Sequence, residues 1–79
     1  MKLKTRLEEY FQQQLNYIQI YKDIPYAQEM HLNYAFGAFN FSYANCTNPV
    51  ILSQLTDLWI EWQEKMIQAI EEGEIENER

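Results

Sequence analysis

The stretch Asn48-Pro49-Val50-Ile51-Leu52-Ser53-Gln54-Leu55-Thr56-Asp57-Leu58-Trp59-Ile60-Glu61-Trp62-Gln63-Glu64-Lys65-Met66 carries most of the fold information. Asn48-Pro49 is a helix start. An asparagine side chain can accept the orphan backbone N–H groups of a first turn, and proline, with its fixed φ and missing N–H, suits the first helical position. From there Ile51, Leu55, Leu58, Trp59, Trp62, Met66, Ala69 and Ile70 recur at the 3.6-residue period and form a stripe about 120° wide. Asp57, Glu61, Glu64, Gln68, Glu71 and Glu72 fall on the opposite side. Gly73 reads as a helix C-terminal glycine, and residues 74–79, mostly charged, as a frayed acidic tail. The spacing predicts a helix over 49–72. Ile60 and Ile67 lie outside the stripe, one above the other, and widen the apolar face toward a half-cylinder. A helix in a small bundle rarely needs so much.

Toward the N-terminus the next segment, about 26–44, follows Pro25, which pushes the residue before it away from helical geometry. As a helix this segment has two apolar faces. Tyr26, Met30, Tyr34, Gly37 and Phe41 form one; Leu32, Phe36, Phe39 and Tyr43 form the other; Glu29, Asn33 and Asn40 leave a narrow polar strip. A helix apolar on two sides must be covered on two sides. Helices on either flank could do this, and so could a second subunit. The competing reading is a strand at Phe39-Asn40-Phe41-Ser42-Tyr43, which alternates with period 2. No other segment offers a partner strand, and an isolated strand cannot satisfy its backbone. Gly37 costs roughly 1 kcal/mol relative to alanine in a helix. Close helix approach would explain it, and a tolerated glycine or mild kink would do so equally.

The first segment, about 2–22, places Leu3, Leu7, Tyr10, Phe11, Tyr17, Ile18 and Tyr21 on one side and Lys2, Thr5, Arg6, Glu9, Gln13 and Asn16 on the other. Gln14 interrupts the apolar face, either as a core-edge glutamine with a satisfied amide or as a register-setting polar residue at a helix interface. The connections are a few residues long, which favours antiparallel neighbours. The expected architecture is all-α: one domain over 1–73, an antiparallel three-helix bundle that self-associates. Self-association also follows from size. With 79 residues and one cysteine, the chain has a marginal core and no internal disulfide to reinforce it.

Composition limits function. Acidic residues outnumber basic ones 12 to 6, for a formal charge of −6. Nucleic-acid binding needs a basic face and is not expected. The basic cluster Lys2, Lys4 and Arg6 is split between helix faces and offset by Glu8 and Glu9. It is followed by glutamines, not by the apolar core of a signal peptide. Asn40-Phe41-Ser42 and Asn45-Cys46-Thr47 match the N-glycosylation pattern by chance on this reading, since no secretory signal accompanies them. No apolar run reaches the roughly 18–20 residues of a membrane span. The expected location is cytoplasmic, with Cys46 reduced.

No catalytic constellation emerges. His31 has no partner at helical metal-ligand spacing: Tyr34 and Ala35 follow it, Gln28 and Ala27 precede it. On a continuous helix Cys46 would lie about 22 Å from it, too far for a Cys–His pair. The carboxylates of the last segment have the spacing of a solvated face and lack the Glu-x-x-His motifs of a di-metal site. No enzyme activity, metal or cofactor is expected. The remaining signal is aromatic: 15% of the residues, six of them tyrosine. These residue types serve both core rims and protein interfaces.

Tyr34-Ala-Phe36-Gly37-Ala-Phe39, followed through a turn by Leu55-Thr-Asp-Leu58-Trp59-Ile-Glu-Trp62, resembles small uncharacterised proteins of phages and prophages of Gram-positive bacteria. The resemblance covers about half of the chain. The sequence departs from it in Trp59-Ile-Glu-Trp62, where those proteins have adjacent tryptophans. The resemblance implies a mobile-element origin and no particular activity or site.

The expected function is non-catalytic protein interaction, with the chain itself (as a dimer) or with another protein. The candidate interface is Leu32, Phe36, Phe39 and Tyr43 with Ile60 and Ile67. Two alternatives stand beside it: an acidic inhibitor or regulator of a host protein, and a binder of a small apolar ligand between the aromatic helices.

Overall fold

A computed structural model of the protein describes the backbone of residues 2–77 and the side chains through Glu74. It contains three helices, α1 (Lys2–Ile20), α2 (Pro25–Ala44) and α3 (Pro49–Asn77). Each packs on both others. α1 and α2 are antiparallel: Gln14 meets His31, and Gln28 reaches back to Ile18. α2 and α3 are antiparallel too, since Phe39 lies on Trp59 while Gln28, earlier in α2, lies beside Gly73, later in α3. The strand reading of 39–43 is excluded, because these residues lie within α2.

The helix ends follow local chemistry. Asn48 Oδ1 accepts hydrogen bonds from the backbone N–H of Val50 at 2.9 Å and Ile51 at 3.4 Å, and Pro49 opens α3. Two of the donors that a helix start leaves unpaired are thereby satisfied. At the end of α2 the Asn45 side chain donates to the Phe41 carbonyl at 2.8 Å. At the end of α1 the Ile18 carbonyl, one of the last four in the helix, accepts from Gln28 Nε2 at 2.8 Å.

The core is built from the stripes of α1 and α3. Phe11, Ile18, Leu55 and Met66 are fully buried, with Leu7, Leu15, Leu58, Trp59 and Trp62 around them. Phe11 is tilted against both tryptophans, at ring-centroid distances of 5.6 Å and 6.4 Å. Such pairs contribute about 0.5–1.5 kcal/mol beyond the area they bury. Leu15, absent from the expected α1 face, belongs to this core.

Two expectations need correction. α1 stops at Ile20, and Tyr21 lies in the following turn. At the other end Gly73 does not close α3: the helix continues through it to Asn77. Gly73 is buried, and a Cβ there would stand 3.0 Å from the Lys22 carbonyl oxygen and 3.3 Å from Gln28 Nε2. The glycine serves close approach to the α1–α2 turn, not helix termination. Of the expected acidic tail, Glu74 lies inside the helix, the side chains of Glu76 and Glu78 lie outside the described residues, and so does Arg79.

Candidate interaction surface

α2 inverts the usual arrangement of an amphipathic helix. Its buried residues are Gln28, His31 and Ala35. Ala38 and Ser42, half-buried, continue the same line. The five follow a 3-4-3-4 spacing, the seam of a helix packed against neighbours. This seam is small or polar, and it lies between the two aromatic faces. α1 approaches from one side of it, through Gln14, and α3 from the other, through Trp59.

The polar seam is satisfied in part, by specific partners. Gln14 Oε1 and His31 Nδ1 are 2.7 Å apart, both residues buried. An amide oxygen can only accept, so Nδ1 carries the proton. The imidazole is stacked on Tyr17 (4.6 Å, 16°) and lies nearly parallel to Tyr21 (5.7 Å, 7°), while Tyr34 meets it edge-on at 5.6 Å. Gln14 is buried with its amide oxygen bonded, and the bond ties α1 to α2 at this point. Gln28 is fully buried, and its Oε1 has no hydrogen-bond partner. No sequence pattern marks this ring cluster, because Tyr17, Tyr21 and His31 become neighbours only once the helices are paired.

The six candidate interface residues divide. Leu32 and Phe39 are half-buried against the chain's own core, with Phe39 stacked on Trp59 at 5.4 Å and 11°. Phe36 and Tyr43 remain 46% and 44% exposed, although Phe36 touches Trp59 and Tyr43 touches Phe39. Ile60 and Ile67 are exposed on α3. The face that sequence reasoning left aside is the barer one: Tyr26 is 78% exposed, Phe41 72%, and Tyr34 is exposed too. One sequence signal marks this region. Between Asp23 and Asp57 the chain has a single formal charge, Glu29. A helix surface meant for water alone would carry more.

Other parts of the surface differ in character. The hollow between α1 and α3 is lined by Lys4, Glu8, Gln54, Asp57, Leu58 and Glu61. It suits water and ions better than an apolar ligand. Cys46, in the α2–α3 connection, packs partly against the core, and unbroken α2 separates it from His31. Among the described residues no group of three His, Cys, Asp or Glu side chains could hold a metal ion, and no helix is long and apolar enough to cross a membrane. Compared with known proteins, the chain matches no family model, no curated protein and no solved structure.

Proposed function

We propose that this chain is a non-catalytic helical interaction module, an accessory protein of a phage or prophage that works by binding protein through the aromatic surface of α2 and its flank on α3. The observation that carries this reading is the inversion of α2, with Gln28, His31 and Ala35 inside and Tyr26, Phe36, Phe41 and Tyr43 outside. Exposing large aromatics forfeits the roughly 1.5–3 kcal/mol that burying such a side chain supplies. Tyr26, Tyr34 and Phe41 lie on one side of the exposed Glu29, Asn33 and Asn40 strip and Phe36 and Tyr43 on the other, and exposed apolar patches mark binding sites on small proteins. Aromatic residues are also the side chains most enriched where proteins dock.

Photo-crosslinking tests the reading. A photoreactive phenylalanine analogue at position 36 or 41, in cells that express the chain, should yield discrete protein adducts, and the same residue at Glu9 on the exposed side of α1 should not. No adduct from either α2 position would exclude the module. The acidic-regulator reading has its own signature there: adducts lost steeply as salt is added, because exposed charges are screened within about 8–10 Å at ordinary ionic strength.

A further inference from the structure

Gly37 has no explanation within the chain. It is exposed on α2, its φ is negative, and a Cβ placed on it would meet no atom within 4 Å. Glycine in an exposed helix position weakens the helix relative to alanine. Gly73 has the steric reason that Gly37 lacks: the Lys22 carbonyl against it. Gly37 shares its face with Tyr34 and Phe41, three residues before and four after, both exposed. A notch between two aromatic ridges is the shape that lets another helix come close.

We propose that this notch is the crossing point of two antiparallel α2 helices from two copies of the chain, related by a twofold axis beside Gly37. The inference rests on reading α2 as a binding surface and names the occupant. Three observations favour a second copy. First, the chain carries a charge of −6, so most of its faces repel a copy, yet residues 24–56 contain one charge, Glu29. This face can meet itself without opposing like charges, and it offers a foreign partner little charge to complement. Second, the antiparallel sense sets Tyr34 of each copy beside Phe41 of the other, filling the notch from both sides as an isologous contact requires. Third, the same sense moves the two Glu29 carboxylates about 25 Å apart along the helix axis, well beyond the screening length. A parallel pair would bring them together.

The test is sedimentation equilibrium of the full chain from micromolar to millimolar concentration, with helix content followed by circular dichroism. The wild type should approach twice 9.6 kDa. Gly37→Leu fills open space in the single chain and keeps its helix, but it should weaken the dimer about tenfold or more by blocking the crossing. Phe41→Glu, at an exposed position, should do the same. Orientation is read in a Cys46→Ser background: Tyr34→Cys and Phe41→Cys chains should form a mixed disulfide with each other, and Glu29→Cys should not pair with itself. A wild type that stays at 9.6 kDa throughout overturns the pairing. So does a dimer indifferent to Gly37→Leu, or one trapped by Glu29→Cys. These failures are distinct from failure of the module reading, which shows as absent photo-adducts to any protein.

Discussion

His31 on α2 donates from Nδ1 to Gln14 Oε1 on α1 at 2.7 Å, with the imidazole stacked on Tyr17. Each residue bonds the other, and the next polar residue of the seam, Gln28, is already engaged through its Nε2 by the Ile18 carbonyl. Sliding α1 along α2 by a turn would leave two buried polar groups unpaired, at about 1–3 kcal/mol each. The contact therefore selects the register of the helix pair.

That relationship predicts non-additivity. His31→Leu and Gln14→Leu should each destabilise the fold by about 1–3 kcal/mol, because each strands the remaining partner. The double replacement should cost less than the sum, since no stranded group is left. Urea denaturation of the four proteins gives the coupling directly.

The two glycines should differ in the side chains they tolerate, because Gly37 faces open space and Gly73 faces the Lys22 carbonyl. Gly37→Ala gains helix propensity with nothing to clash against, and should stabilise the single chain by up to about 1 kcal/mol. Gly73→Ala gains the same propensity but sets its methyl 3.0 Å from the Lys22 carbonyl oxygen, and Gly73→Leu must displace the α1–α2 turn. The leucine variant should lose about 1–3 kcal/mol, as overpacked sites do. Thermal unfolding at low protein concentration measures both.

Trp59 contacts Phe11, Phe36 and Phe39 and so joins all three helices. Trp59→Ala should cost about 3–5 kcal/mol, a large share of the stability of a chain this short. Phe36→Ala, at a half-exposed site on the same ring, should cost no more than about 1.5 kcal/mol, the size of one aromatic pair. Denaturant midpoints, with Trp62 fluorescence as the probe, rank the two.

Asn48→Ala should cost about 1 kcal/mol, because Val50 and Ile51 lose the side-chain acceptor of the first turn. Asn48→Asp should retain it. Amide hydrogen exchange at Val50 and Ile51 should quicken in the alanine variant and not in the aspartate variant.

α3 was legible because its core residues recur at one period on one side. Leu55, Leu58, Trp59, Trp62 and Met66 are buried as their spacing predicts. The signal failed where one residue type serves two purposes. Gly73 at the end of an apolar stripe looks like a helix terminator, and only the Lys22 carbonyl against it shows why the helix goes on. α2 defeated periodicity altogether, since each aromatic face is as apolar as a core face and the true inward seam is Gln28, His31, Ala35, Ala38 and Ser42. Leu32 and Phe39 were assigned to an outer surface for that reason, and the structure puts both partly against the core.

By itself the sequence determined the number of helices, the start of α3 at Asn48-Pro49, the stripe α3 buries and the single charge, Glu29, along α2. These depend on local geometry, in which propensity, capping and the helical period act within a few residues. The tertiary structure decided which side of α2 faces inward, the pairing of Gln14 with His31, the stack of that histidine on Tyr17 and the use of Gly73 for close approach. Those depend on where α1 and α3 lie relative to α2, and no single helix carries that information.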